Sequence, residues 1–215
     1  MRIERYSLAY FPVPKVACTS VLAFLHEVDT GRPPSADADN GLDSHVHHLY
    51  PTKPFAEWDL SAVEGDFKFC VMRDPVARIR SCYTSKVFPG MYVRDPDKRK
   101  RVEDASLPIA PTFDEFVDNL EGYRAANNIV RHHSQPLSHF LGRDPAVFDA
   151  IYGIKDMDAL VDDVAARTGT DLKMRRLNKT RDQRRAKVTV TDANRDAINT
   201  HYAEDHAIFG AYFAT

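Results

Sequence analysis

The sequence predicts an α/β fold built on a central parallel sheet flanked by helices. Two observations carry this expectation. Twice in the N-terminal half, a short apolar run is followed by a proline-bearing turn and then by a candidate helix. Such strand–turn–helix units place parallel strands side by side in one sheet. The chain also has 215 residues, enough to bury about 70% of the surface that the unfolded chain exposes, so it needs neither disulfides nor a structural metal.

The elements follow in order. Tyr6-Ser7-Leu8-Ala9-Tyr10-Phe11 suits a buried strand that Pro12 and Pro14 stop. Thr19 or Ser20 can N-cap a helix over Val21-Leu22-Ala23-Phe24-Leu25. Residues 29–43 have loop composition. Phe67-Lys68-Phe69-Cys70-Val71-Met72 is the second strand, and Pro75 stands at the first position of the helix that carries Val76, Ile79, Tyr83 and Val87. Residues 88–111 read as a long irregular segment holding the charge run from Arg94 to Arg101. Thr112-Phe113-Asp114-Glu115 is a capping box, continued by Phe116, Val117 and Leu120. A helical region is expected around Ile129 to Leu141 and a strand within Ala146 to Ile154. Asp156 caps a helix through Leu160, Val161 and Val164 that Gly169 ends. From Thr191 onward, Ile198, Tyr202, Phe209 and Phe213 line one face of a last helix. The whole, residues 1–215, is expected to be a single domain with two long loops.

Composition narrows the function. Lys plus Arg is 29 and Asp plus Glu is 31, a net charge of −2. This excludes a globally basic nucleic-acid coat protein but leaves room for a local basic cleft. The three cysteines, Cys18, Cys70 and Cys82, form no CxxC pair. They argue against a disulfide scaffold and a thiolate zinc site, and for a reducing cytoplasmic compartment. The N-terminus lacks the apolar core of a signal peptide, and no run approaches the ~18 apolar residues of a membrane span. The Asn178-Lys179-Thr180 sequon is therefore not expected to be glycosylated.

Four features suit an anionic ligand or proton transfer. Pro14-Lys15-Val16-Ala17-Cys18-Thr19-Ser20 lies between strand and helix, where free N–H groups and the helix dipole favour an anion. Lys15 adds a charge there, and Thr19 and Ser20 add hydroxyls. GxxxxGK[ST] is absent, so this is not a Walker A loop. A capped helix with a surface lysine is the plain alternative. Arg73 stands at a strand end and Ser81 nearly two turns into the next helix, and together they can hold a phosphate. Here the alternative is that Asp74 pairs with Arg78 or caps the helix. Residues 173–187 carry eight basic residues and one acid, which suits an anionic ligand, a solvated run or a nucleic-acid patch; no aromatic is interleaved for base stacking. Finally, His45 and His47 share one face if residues 43–50 are extended, and either can act as a general base. HxH can also hold a metal, but no third ligand follows at suitable spacing, and none is expected. His206 is read as a packed residue of the last helix.

Taken together, PKVACTS after the first strand and FCVMRDPVARIRSCYTSKV after the second resemble the two nucleotide-binding signatures of the sulfotransferases. The similarity is to carbohydrate sulfotransferases of the chondroitin, dermatan and heparan 2-O type and their bacterial homologues. TFDEFVDNL with HHSQ, IYGIKDMDALVDDVAARTG and VTVTDANRDAINTHYAEDHAIFGAYF resemble later segments of that family in order. The resemblance implies a P-loop-NTPase-like three-layer fold and the sulfuryl donor 3′-phosphoadenosine 5′-phosphosulfate, PAPS, with PAP as its product. By motif, Lys15, Ala17, Cys18, Thr19 and Ser20 would cradle the 5′-phosphosulfate, and Arg73 and Ser81 the 3′-phosphate. The stretch holding Arg181, Arg184 and Arg185 would close over the nucleotide, although the match there is poor. His45 and His47 stand where the heparan 2-O relatives carry a histidine pair. Many relatives place a histidine four residues before the glutamine of HHSQ, where this chain has Arg131.

The implied reaction is in-line transfer to a hydroxyl of a carbohydrate or other alcohol. His47 or His45 would take the proton, and Lys15 would stabilise the leaving phosphate. No metal, nucleic-acid partner or transmembrane segment is expected, and residues 88–111 would recognise an anionic acceptor or form a surface loop. The absence of the membrane anchor found in the Golgi enzymes points to a bacterial-type soluble enzyme. Two other readings stay open. One is a small-molecule P-loop kinase, disfavoured by the missing Walker glycines; the other is a non-catalytic module binding nucleotide or nucleic acid through residues 173–187.

Overall fold

The computed structural model describes residues 1–35, 41–88, 95–175, 177 and 188–213. The chain packs as two compact units. One comprises Met1–Arg73, Leu137–Lys179 and Ile208–Thr215; the other comprises Asp74–Pro136 and Thr180–Ala207.

The first unit holds a four-stranded sheet of β1 (Arg2–Ile3), β2 (Leu8–Phe11), β3 (Phe67–Val71) and β4 (Ala150–Tyr152), in that order. β2, β3 and β4 are parallel, with Leu8 opposite Phe67 and Phe69 opposite Ala150. The expected parallel sheet is present, but β1 adds an antiparallel edge and makes it mixed. The cause is local: Glu4–Tyr6 form a 3-10 turn and Ser7 takes a left-handed φ of 50°, which folds the chain straight back. Only antiparallel pairing tolerates so short a connection. The strand predicted from Tyr6 therefore begins at Leu8.

All four residues of β2 are buried, as a continuous apolar run in a parallel sheet should be. Phe11 stacks on Trp58 at 4.0 Å between ring centroids and meets Phe148 edge-on. α1 (Cys18–Thr30) buries every residue from Cys18 to Leu25 and ends at Gly31, whose φ of 72° forms a left-handed cap. α2 (Gly41–Leu49) inserts Val46 into the same core. The loop expected over 29–43 is therefore helical at both ends. The strand expected within 146–154 is confined to β4, preceded by a 3-10 turn at Pro145–Val147. The helix Met157–Thr168 ends at Gly169 as expected, but Asp156 does not cap it with its side chain; that carboxylate accepts from the Gly153 amide instead.

In the second unit, Asp74 caps α3 (Pro75–Cys82) by accepting from the Ala77 amide at 2.9 Å, with Pro75 in the first turn. α3 runs on into a π-helical turn, Tyr83–Val87. Residues 96–104 are not irregular but form α4 (Pro96–Asp104). Asp95 accepts from the Lys98 amide, Pro96 occupies the first turn, and Arg99–Glu103 and Lys100–Asp104 close i,i+4 ion pairs. The capping box at Thr112 is formed. The helical region predicted over 129–141 breaks at Gln135-Pro136, because proline disfavours helical geometry in the residue before it. The last helix also breaks, at Tyr202, into Asp192–His201 and Ala203–Phe209. Ile198 and Tyr202 join the core of the second unit with Ile79, Phe116 and Tyr123, whereas Phe209 joins the core of the first. His206 is only half-buried and meets the Asn199 side chain at 3.0 Å, so it is not the packed core residue expected.

Candidate active site

Parallel strands bring their carboxyl ends to one edge, where ligands bind in sheets of this type. In the first unit that edge carries residues 12–17 after β2, Met72 and Arg73 after β3, and Gly153 after β4. The loop after β2 is anchored by Val13 and Val16, both fully buried. Between and beyond them Lys15 and Ala17 adopt φ of 70° and 65°. A left-handed conformation costs an L-residue roughly 1–2 kcal/mol, and such strain concentrates at binding sites. Ala17, not Thr19 or Ser20, is the N-cap of α1, and it offers no side-chain cap. Its carbonyl accepts from the Ser20 and Val21 amides. Among the described residues, the amides of Val16 and Ala17 have no acceptor. With the start of α1 and the Lys15 cation, this arrangement fits an anion.

Arg73 is half-buried two residues beyond β3, and its guanidinium donates to the Lys15 carbonyl at 3.4 Å. The arginine predicted at one strand end and the lysine predicted at its neighbour are thus brought together.

α2 supplies the histidine. His47 Nε2 lies 3.0 Å from Thr19 Oγ1 and 3.7 Å from Cys18 Sγ. His45 does not share this position. The segment is helical rather than extended, so two residues turn the chain by about 200° and separate the pair. His45 instead acts on His26, whose imidazole also meets the Tyr50 hydroxyl at 2.8 Å. Burial, followed by the His45 charge, lowers the His26 pKa below its ordinary value.

The other predicted residues fall elsewhere. Ser20 is buried, and its Oγ accepts from the Leu177 amide at 3.0 Å, a contact with no signal in the sequence. Ser81 lies on α3 in the second unit, its carbonyl accepting from the Ser85 hydroxyl at 2.7 Å. Arg181, Arg184 and Arg185 lie outside the described residues. Sequence reading also passed over Tyr10. Its side chain is fully buried, its hydroxyl has no partner among the described residues, and burial followed by the nearby Cys18 and Cys70 raises its pKa. The thiol of Cys70 is likewise pushed up by burial, which leaves it a packing residue.

The sulfotransferase family profile matches residues 1–212. The chain belongs to the sulfotransferase family. No curated protein and no solved structure matches it. The family assignment makes this sulfotransferase a transferase that moves a sulfuryl group to a hydroxyl-bearing acceptor. The mixed sheet flanked by helices is the α/β fold that the resemblance implied. Among the described residues no helix is long and apolar enough to cross a membrane.

Proposed function

We propose that this sulfotransferase transfers the sulfuryl group of PAPS to a hydroxyl of a carbohydrate or another alcohol, with His47 as the general base. The observation that carries the reading is the convergence of His47 on Thr19, within the loop whose Lys15 also meets Arg73. A base, a cation and a strained anion-binding turn then stand at one edge of the sheet. The residues fit a phosphosulfate: the Val16 and Ala17 amides and Lys15 supply donors and charge, and Arg73 adds a second cation. Bound there, PAPS would supply an activated sulfuryl group on a phosphate leaving group.

The protein's own part is positioning and proton handling. Lys15 and the loop amides hold negative charge where it accumulates. The contact with the Thr19 hydroxyl orients the His47 ring beforehand; the acceptor hydroxyl then replaces Thr19 at the Nε2 lone pair and gives its proton to that nitrogen. Of the histidine pair, His47 is favoured over His45 because His47 Nε2 lies 3.0 Å from Thr19 Oγ1. The roles of Ser81 and of Arg181, Arg184 and Arg185 toward the nucleotide rest on the motif alone.

Calorimetry tests the donor. PAP should bind without added metal, and more tightly than ATP with Mg²⁺. Lys15→Ala and Arg73→Ala should each weaken binding by about tenfold or more, the scale of a charge-assisted contact. Equal or tighter binding of ATP would favour the kinase reading. Transfer of labelled sulfate to a panel of glycans and small alcohols identifies the acceptor.

A further inference from the structure

Ser20 was expected to serve the phosphosulfate, yet its hydroxyl oxygen is engaged by the Leu177 amide at 3.0 Å. Leu177 lies two residues beyond a described segment that is neither helix nor strand. Residues 171–175 alternate exposed and half-buried, with Leu172 and Met174 packed against the core of the first unit, as is Leu177. Arg175 pairs with Glu27 near the far end of α1, at 3.9 Å. Glu27 and Ser20 lie seven residues apart on one face of that helix, about 10 Å along its axis. Arg175 and Leu177 are therefore held to α1 at two levels, Leu177 at the one nearer its N-terminal end. Leu177 is delivered to the turn of α1 that adjoins the Lys15–Ala17 loop, directly ahead of the basic run that continues to Lys187.

We propose that Ser20 is a positioning residue that pins Leu177 to the first turn of α1, and so holds this part of the chain beside the donor loop. This rests on the donor reading above. A hydroxyl has one proton to give and two lone pairs, so accepting from Leu177 does not by itself prevent Ser20 from donating to a phosphate. The two roles separate by experiment. Ser20→Ala removes the acceptor, whereas Leu177→Pro removes the donor and leaves Ser20 intact. If Ser20 acts through the pin, each variant weakens PAP binding by about fivefold, the scale of one neutral hydrogen bond, and the double variant by no more than either. Hydrogen exchange in the intact protein gives a readout independent of nucleotide: the Leu177 amide is protected, and Ser20→Ala speeds its exchange about tenfold. Trypsin cleavage after Lys173 and Arg175 rises in parallel.

Loss of PAP affinity in Ser20→Ala but not in Leu177→Pro would make Ser20 a direct ligand and overturn the proposal. An unchanged exchange rate at Leu177 in Ser20→Ala would overturn it as well, and decides the matter if Leu177→Pro does not fold. If the unmodified protein binds no PAP, the donor reading fails, while exchange and proteolysis still test the pin.

Discussion

His47→Ala is the substitution that most directly tests the assignment of the base. Alanine is the best helix former, and Val46, which α2 buries, is untouched, so α2 should stay in place. What disappears is the imidazole 3.0 Å from Thr19 Oγ1. General-base catalysis contributes about 10²–10⁴-fold, so kcat should fall by that factor, about 3–5 kcal/mol in the barrier. PAP affinity should hardly change. The Thr19 hydroxyl loses one neutral partner, about 1 kcal/mol and thus at most about fivefold. His45→Ala removes an imidazole two residues away on the helix whose charge acts on His26, and kcat should stay within about twofold. The assay is transfer of labelled sulfate at saturating donor, with calorimetry on PAP alongside. A His47→Ala protein retaining more than a tenth of the original kcat, or a His45→Ala protein losing as much, would refute the argument from helix geometry.

Two further predictions concern the first unit. Gly142 has a φ of 74°, and a Cβ there would stand 2.7 Å from the ring of Phe55. Gly142→Ala should lower stability by about 2–4 kcal/mol, combining left-handed strain with overpacking. At 2–4 °C per kcal/mol, Tm should drop by roughly 5–15 °C in calorimetry; a drop under about 1 °C would show that Phe55 yields freely. His26 should titrate below 6.5 by NMR, because burial and then His45 oppose its protonation while Asp29 and Glu27 favour it. His45→Ala should move it back upward. A base with a lowered folded pKa contributes stability that is present above 6.5 and lost as pH falls through its folded pKa. His26 titrating at or above 6.5 would contradict the placement of His45.

The sheet was legible because LAYF is an apolar run without alternation, buried throughout, and FKFCV departs from that pattern only at Lys68 near its half-buried start. α4 was not legible by hydrophobic periodicity, since Val102 is its one buried residue. Its signal was polar: Asp95-Pro96 as a start, then basic residues four positions ahead of acids. The candidate site was legible in residue type but not in conformation. Lys15, Thr19 and Arg73 stood out as charges and hydroxyls at strand ends. The left-handed loop did not, because glycine, the usual mark of positive φ, is absent from PKVACTS. The shared face expected of His45 and His47 did not form, for a different reason. HxH places both rings on one side only in a strand, whereas Gly41–Leu49 form a helix, which separates them even with Val46 in the core.

The same helix formation changes what α4 can do for the acceptor. Read as a flexible run, Lys98-Arg99-Lys100-Arg101 offers four cations to an anionic glycan. Folded, Lys98 pairs with Asp95, Arg99 with Glu103 and Lys100 with Asp104. Over residues 95–104 the four cations meet four carboxylates, Asp95, Asp97, Glu103 and Asp104, and the net charge is zero. Exposed pairs of this kind are worth under about 1 kcal/mol each, so a polyanion can compete for them, but only by releasing carboxylates that repel it. The pairing that adds modestly to the helix's stability also removes its attraction for anions. If acceptor selection uses this surface, hydroxyls suit it better than carboxylates or sulfates do. A neutral glycan should then be sulfated at a rate that is nearly independent of salt, whereas an acceptor steered by charge would lose rate as ionic strength rises.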